Sequence, residues 1–311
     1  MAPVIEVDRL TKRYKRADSN AVDGVSFSVQ AGEFFALLGP NGAGKTTTVS
    51  ILTTTLSPTS GSARIAGYDI VKNAGAVRKR VSIIFQRPSL DLNLTAEENV
   101  RFHAILYGLY PFRPTFKSMP RAYQQEVQRL AELLGLERDV FKPVKTFSGG
   151  MQRKLEVLRG LVHRPQVLFL DEPTAGLDAA TRRSLWAYLK EVRAESGTTV
   201  FLTTHYLEEA EGADKICIID HGRIVSLGTP DEVKAALIEE YLVIDAEDRA
   251  TLFIELRRLG VPFTGGAEIR IGLNGRSVHQ VLQSVTTPLS VVKIHSPTLE
   301  DAYLAILRDH E

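Results

Sequence analysis

The apolar run Phe34-Phe-Ala-Leu-Leu38 passes directly into Gly39-Pro-Asn-Gly-Ala-Gly-Lys45-Thr46, and this junction limits the possible folds more than any other stretch. An unbroken apolar run suits a strand buried on both faces. The segment after it satisfies G-x-x-x-x-G-K-[ST], in which glycines let backbone N–H groups converge on phosphate oxygens and a following helix adds its dipole. Residues 45 to 55 are therefore predicted helical despite their many threonines, because the loop's geometry demands a helix there. In such a loop Lys45 reaches the β and γ phosphates and Thr46 gives its hydroxyl to Mg²⁺.

A second chemical element lies about 125 residues later. Val167-Leu-Phe-Leu170 runs into Asp171-Glu172, which places both carboxylates at the C-terminal edge of a buried strand, where open α/β sheets bind ligands. That position suits Asp171 for the Mg²⁺ shell and Glu172 for polarising an attacking water. From 166 to 226 strand and helix patterns alternate: strand 167–170, helix 181–195, strand 199–203, helix 206–213 and strand 216–220. The alternation predicts a parallel sheet.

The rest of the chain departs from that alternation. Strand patterns near 4–7 and 25–29 precede the loop, and residues 95–163 read as a helical insert. Thr95-Ala-Glu-Glu98 opens one helix of it, and a second spans about 120–134 with Gly135 at its end. Thr229-Pro-Asp-Glu232 caps a further helix, closing a first domain near residue 237. Residues 238–311 predict a small α+β domain of ferredoxin-like kind: strand 241–245, helix 248–259, a hairpin at Gly265-Gly266, helix 276–285, strand 288–294 and a helix opened by Ser296-Pro297.

Composition narrows the function classes. Lysine plus arginine number 38 against 37 acids in 311 residues, which removes the basic field of a general nucleic-acid binder, so no direct nucleic-acid partner is expected. Cys217 is the single cysteine and sits in an apolar strand pattern, as expected in a reducing compartment. The N-terminus lacks the pattern of a secretory signal and no apolar run approaches the ~18 residues of a spanning helix. A cytoplasmic protein reaching any membrane through a partner is the expectation.

Phe147-Ser148-Gly149-Gly150-Met151-Gln152 sharpens the reading. Ser148 stands where a helix begins, so its hydroxyl and the Gly149 and Gly150 amides present a second anion site. At this point the chain resembles the ATP-binding subunits of ABC transporters, and the resemblance runs through the first ~235 residues. It implies a P-loop NTPase core with antiparallel β and helical subdomains. It also implies that ATP is bound by Tyr14 stacking on adenine and by Gly39, Pro40, Asn41, Gly42, Ala43, Gly44, Lys45, Thr46 and Thr47. Gln86 matches the glutamine that contacts Mg²⁺ or water, Asp178 the loop that crosses to a second subunit, and His205 the switch histidine at the γ-phosphate. Catalytic roles then fall to Glu172, His205, Gln86 and Lys45, and Mg²⁺ ligation to Thr46, Gln86 and Asp171. Ser148, Gly149, Gly150 and Asp178 would act across a homodimer. Phe147 and Met151 depart from the commonest signature, Leu-Ser-Gly-Gly-Gln, but the groups that would face phosphate are kept.

Two further stretches, Gln86 to Asn99 with Leu106-Tyr-Gly108 and Ser296 to Leu304, are similar to drug and antibiotic exporters of the daunorubicin-resistance type. That similarity implies a separate membrane permease, a place on the cytoplasmic face of the membrane, and a drug, antibiotic or lipid-like cargo. An importer ATPase with a ligand-sensing C-terminal domain and a soluble non-transport ATPase of the same family are the alternatives.

Overall fold

The computed structural model describes residues 2–86, 89–237, 241–266, 268–273, 276–295, 298–301 and 303. They form two compact units, residues 1–227 and 228–311.

In the first unit β1 (Ile5–Lys12) and β2 (Val22–Val29) pair antiparallel, with one face of each turned to the core. β3 (Phe34–Leu38) is buried along its whole length and feeds α1 (Lys45–Leu52). That helix ends three residues short of expectation. Thr53 and Thr55 turn their hydroxyls back onto the Val49 and Ser50 carbonyls, and Thr54 takes a positive φ, so side chains replace the next helical turn. β4 (Ser60–Ile65) and β5 (Tyr68–Asp69) complete an antiparallel sheet of order β2-β1-β4-β5. After α2 (Ala74–Arg78), β6 (Val81–Ile84) precedes the helical insert.

The insert consists of α3 (Ala96–Leu106), α4 (Arg121–Leu134) and α5 (Gly149–Leu161). Thr95 caps α3 through the reciprocal bonds its sequence predicts, and Gly135 ends α4 in the left-handed conformation. β7 (Val167–Asp171), α6 (Ala179–Ser196), β8 (Thr199–Thr204), α7 (Leu207–Ala210), β9 (Lys215–Asp220) and β10 (Arg223–Gly228) follow. α7 is shorter than the predicted 206–213, because the chain after it is drawn toward β3: Asp214 N donates to Phe34 O, and its carboxylate accepts from Phe34 N at 2.8 Å.

The second sheet has order β10-β9-β3-β8-β7-β6, with β9, β3, β8, β7 and β6 mutually parallel. Phe27 of the antiparallel sheet stacks on Phe35 at 5.2 Å, Phe35 on Phe201 at 5.0 Å, and Phe201 packs on Phe169 at 5.2 Å. Each fully buried ring contributes roughly 1.5–3 kcal/mol, so this row fixes the two sheets against each other. Cys217 lies in the same core, fully buried, and burial pushes its thiol pKa up to about 12.

The second unit begins with α8 (Pro230–Leu237), capped by Thr229 and Glu232, a helix that the sequence pattern alone sets at the close of the first domain. β11 (Tyr241–Asp245), α9 (Arg249–Arg258), β12 (Phe263–Thr264), β13 (Ile269–Gly272), α10 (Val278–Ser284) and β14 (Val291–His295) give a β-α-β-β-α-β chain. Its sheet order is β12-β13-β11-β14, antiparallel throughout, the arrangement of a split βαβ unit. Ser296 and Pro297 lie outside the described residues. The cap seen there is Thr298, whose hydroxyl accepts from Asp301 N while the Asp301 carboxylate accepts from Thr298 N.

Candidate active site

β3, β7 and β8 are neighbours in the parallel sheet, so their C-terminal ends deliver three segments to one edge: the 39–46 loop, Asp171-Glu172 and Thr203-Thr-His205. A cleft of about 530 Å³ opens there, lined by Asn41, Lys45, Thr46, Gln86, Glu172 and His205 among others. Gly44 holds φ +106° at the N-terminus of α1, and a Cβ there would stand 2.3 Å from the Ala21 carbonyl oxygen. The glycine is thus required by both conformation and space.

Lys45 is 4% exposed, and its Nζ donates to Gly39 O at 2.8 Å and Pro40 O at 3.0 Å. Burial holds its pKa below the ordinary lysine value, opposed by Glu172 and Asp171. Glu172 gathers the site: its Oε1 lies 3.5 Å from Lys45 Nζ and 3.2 Å from His205 Nδ1, and its Oε2 accepts from Gln86 Nε2 at 3.1 Å. The His205 contact lacks hydrogen-bond alignment, leaving Nδ1 buried without a bond. Glu172 itself holds a positive φ of 46°, a strained value for a residue with a side chain, pinned by its N–H on Thr203 O at 3.0 Å. Asp171 Oδ1 accepts from Thr46 Oγ1 at 3.2 Å and from Thr203 Oγ1 at 2.5 Å. Tyr14 is exposed and bonds Thr47 through its hydroxyl at 3.3 Å, at the rim.

The structure thus brings together Tyr14, residues 39–47, Gln86, Asp171, Glu172 and His205. Ser148, Gly149, Gly150 and Asp178 do not line this cleft. Ser148 caps α5, accepting from Met151 N at 3.2 Å, and Ser148 and Gly149 are exposed. Asp178 caps α6 through Ala180 N and Thr181 N, and these bonds, the Thr181 hydroxyl first, lower its pKa. A Cβ on Gly150 would come 2.8 Å from Thr181 Cγ2, so the close approach of the α5 and α6 N-termini needs that glycine.

Several residues around the site escaped sequence reasoning. Thr203 is the closest hydroxyl to Asp171, yet a threonine at a strand end carries no distinguishing signal. Glu209, 4% exposed, accepts from the Thr174 and Thr204 hydroxyls and so ties the segment after Glu172 to the one before His205. Arg153 and Glu156 lie buried behind Gln86. Their i, i+3 spacing reads in sequence as an ordinary surface pair.

A strand, phosphate loop and helix beside a sheet-edge carboxylate pair define a nucleotide-binding protein of the P-loop class. A family model described as ABC transporter matches residues 22–175. Daunorubicin/doxorubicin resistance ATP-binding protein DrrA of Streptomyces peucetius is 40% identical over 255 residues, covering 79% of this chain and 72% of that protein. Doxorubicin resistance ATP-binding protein DrrA of Mycobacterium tuberculosis is 34% identical over 325 residues, covering 98% and 94%. The probable multidrug ABC transporter ATP-binding protein YbhF of Escherichia coli is 40% identical over 232 residues, and the chain spans 38% of its length. A solved ATP-binding cassette, a dimer in a post-hydrolysis state bound to ADP and phosphate, superposes with a TM-score of 0.63 at 27% identity, covering 72% of this chain and 98% of its own. The chain belongs to the ABC transporter ATP-binding family and carries its ATPase domain.

Proposed function

We propose that this protein powers an exporter of drug, antibiotic or lipid-like cargo as one of two identical ATP-hydrolysing subunits bound to a separate transmembrane permease at the cytoplasmic face. The observation that carries this reading is the separation of two anion-binding features. The cleft gathers Lys45, Glu172, Gln86 and His205, while the exposed Ser148 and Gly149 at the start of α5 do not line it. Two copies arranged head to tail would give each cleft the Ser148, Gly149, Gly150 and Asp178 of the other, with ATP as the cohesive ligand.

Within one cleft, the 39–44 amides and Lys45 bind the phosphates, Thr46 and Thr47 close the loop, and Tyr14 packs on the base. Thr46, Asp171 and Gln86 offer hydroxyl, carboxylate and amide oxygens, a donor set that suits Mg²⁺, and the Thr46 hydroxyl already meets Asp171 at 3.2 Å. Magnesium bound there would neutralise charge building on the phosphate oxygens. Glu172 takes a proton from the attacking water, Gln86 and His205 orient the water and the γ-phosphate, and loss of that phosphate loosens the closed pair.

Export is supported by the names of the relatives, one of which the chain matches over 98% of its length, including the second unit. No described helix is long and apolar enough to cross a membrane. Phe85, Leu92 and Leu106 are apolar and exposed on either side of Gln86 in the chain, as a permease-docking surface requires. Glu172→Gln tests the site: ATP turnover falls by about 10²–10⁴ while ATP binding persists and holds the dimer closed. Turnover equal to the parent would refute the role of Glu172, and a Ser148→Arg variant with full activity would refute the shared site.

A further inference from the structure

The parallel ladder between β6 and β7 ends at Ile84 and Leu170, two residues short of Gln86 and of Glu172. Strand pairing therefore does not itself set the Gln86 amide against the Glu172 carboxylate. Arg153 of α5 bridges the gap. Its Nη1 donates to Phe85 O at 2.6 Å, the residue before Gln86, and its Nε donates to Pro173 O at 2.5 Å, the residue after Glu172. Glu156 Oε2 accepts from the same Nη1 at 2.8 Å, and its Oε1 accepts from Ser89 N at 2.9 Å. Arg159 adds bonds to Ser89 O at 2.7 Å and Ser89 Oγ at 2.6 Å, so both flanks of the segment carrying Gln86 are tied to α5.

Arg153 is 4% exposed and Glu156 1%. A buried ion pair is seldom worth more to stability than apolar residues of the same volume, so stability does not account for it. A guanidinium does offer what an apolar side chain cannot, a rigid planar fork whose donors reach two carbonyls from separate segments at once. We propose that Arg153, with Glu156 as its counter-ion, is a positioning residue that sets Gln86 against Glu172; this rests on the assignment of those two residues to the hydrolytic site. Through it, the helix opened by Ser148 governs the water-handling pair of its own cleft.

The test is steady-state ATP hydrolysis by the full chain carrying Arg153→Met with Glu156→Leu, which removes both charges of the pair together. The fold and ATP affinity are expected to hold, because the 39–46 loop is untouched, while kcat drops at least about tenfold with KM for ATP within about twofold. In a Gln86→Ala background the same pair should cost less than about threefold, since the residue it positions is gone. Equal losses in both backgrounds, or a folded double variant with the parent's kcat, overturn the proposal. Should the double variant not fold, Glu156→Gln keeps the shape; an about threefold or greater loss of kcat that shrinks in Gln86→Ala supports the proposal, and no loss overturns it. Glu172→Gln measured alongside separates the two levels. Undiminished turnover there removes the hydrolytic assignment itself, whereas a slow Glu172→Gln beside an active Arg153 variant removes only the positioning role.

Discussion

Residues 1–227 enclose Lys45, Glu97, Arg101, Glu126, Arg153, Glu156, Asp171 and Glu209, each at most 6% exposed, whereas among the described residues of 228–311 the one buried polar side chain is Thr287. The second unit instead packs Leu242, Ile244, Leu252, Leu256, Ile269 and Ile271 into a plain apolar core. Its most strongly bound carboxylate, Glu255, remains outside, held by the hydroxyls and N–H groups of Thr286 and Thr287, the Thr286 hydroxyl foremost, with its pKa lowered to about 2. Burying charge is costly unless each group is paired, so the first unit spends many hydrogen bonds to hold its charges in fixed directions. The core of the second unit gains its stability from buried apolar area, and carboxylates such as Glu255 and Asp245 are bound outside that core. The contrast places directional chemistry in one unit and packing in the other.

Gly44→Ala strikes the first unit hardest. The added Cβ would meet Ala21 O at 2.3 Å with φ at +106°, and a loop displaced by about an ångström loses on the order of 10²-fold in turnover. Near-parental hydrolysis by that variant would break the claim that loop geometry is fixed by its surroundings. Leu256→Ala in the second unit removes a fully buried side chain and should destabilise that unit by roughly 2–5 kcal/mol while leaving the ATP affinity of the first within about twofold. A melting experiment resolving two transitions reads this directly; a matching drop in ATP affinity would show that the two units are not separable in this way.

The effect spread most gradually, over several pH units, concerns acid. Burial, with Arg159 and His163 nearby, lowers the His103 pKa to about 3. In the unfolded chain a histidine titrates near ~6.5, so below that pH the unfolded state binds a proton that the native state refuses. Stability present above about pH 6.5 is therefore lost as pH falls toward 3, by at most about 1.4 kcal/mol per pH unit from this residue. His103→Gln should flatten the stability profile between pH 6 and 4, and an unchanged slope would discount the residue. No counterpart is expected from a core substitution in the second unit, where the described residues bury no charge.

Much of the site was legible because its parts are contiguous in sequence. A buried strand followed by Gly39 to Thr46, and another ending in Asp171-Glu172, each carry geometry in their spacing. Ser148 reads as the start of a helix and caps one, whereas the capping of α6 by Asp178 shows only in the structure. Helix ends were less legible where side chains competed for the backbone, as at Thr53 to Thr55, or where a distant strand claimed the chain, as Phe34 claims Asp214. The similarity noted at Arg87, Pro88 and Ser296 to Leu304 falls partly outside the described residues.

Sequence by itself determined the strand, glycine loop and helix around Lys45, the carboxylates at a sheet edge, and the apolar alternation that builds both units. These depend on local periodicity and on residues adjacent in the chain. Tertiary structure alone decided that Thr203 meets Asp171, that Glu209 ties the Glu172 segment to the His205 segment, and that Arg153 spans from Phe85 to Pro173. Each of those contacts joins segments brought together only by strand order in the parallel sheet and by helices packed on it. A charged residue's burial is a property of that packing, and no spacing along the chain encodes it.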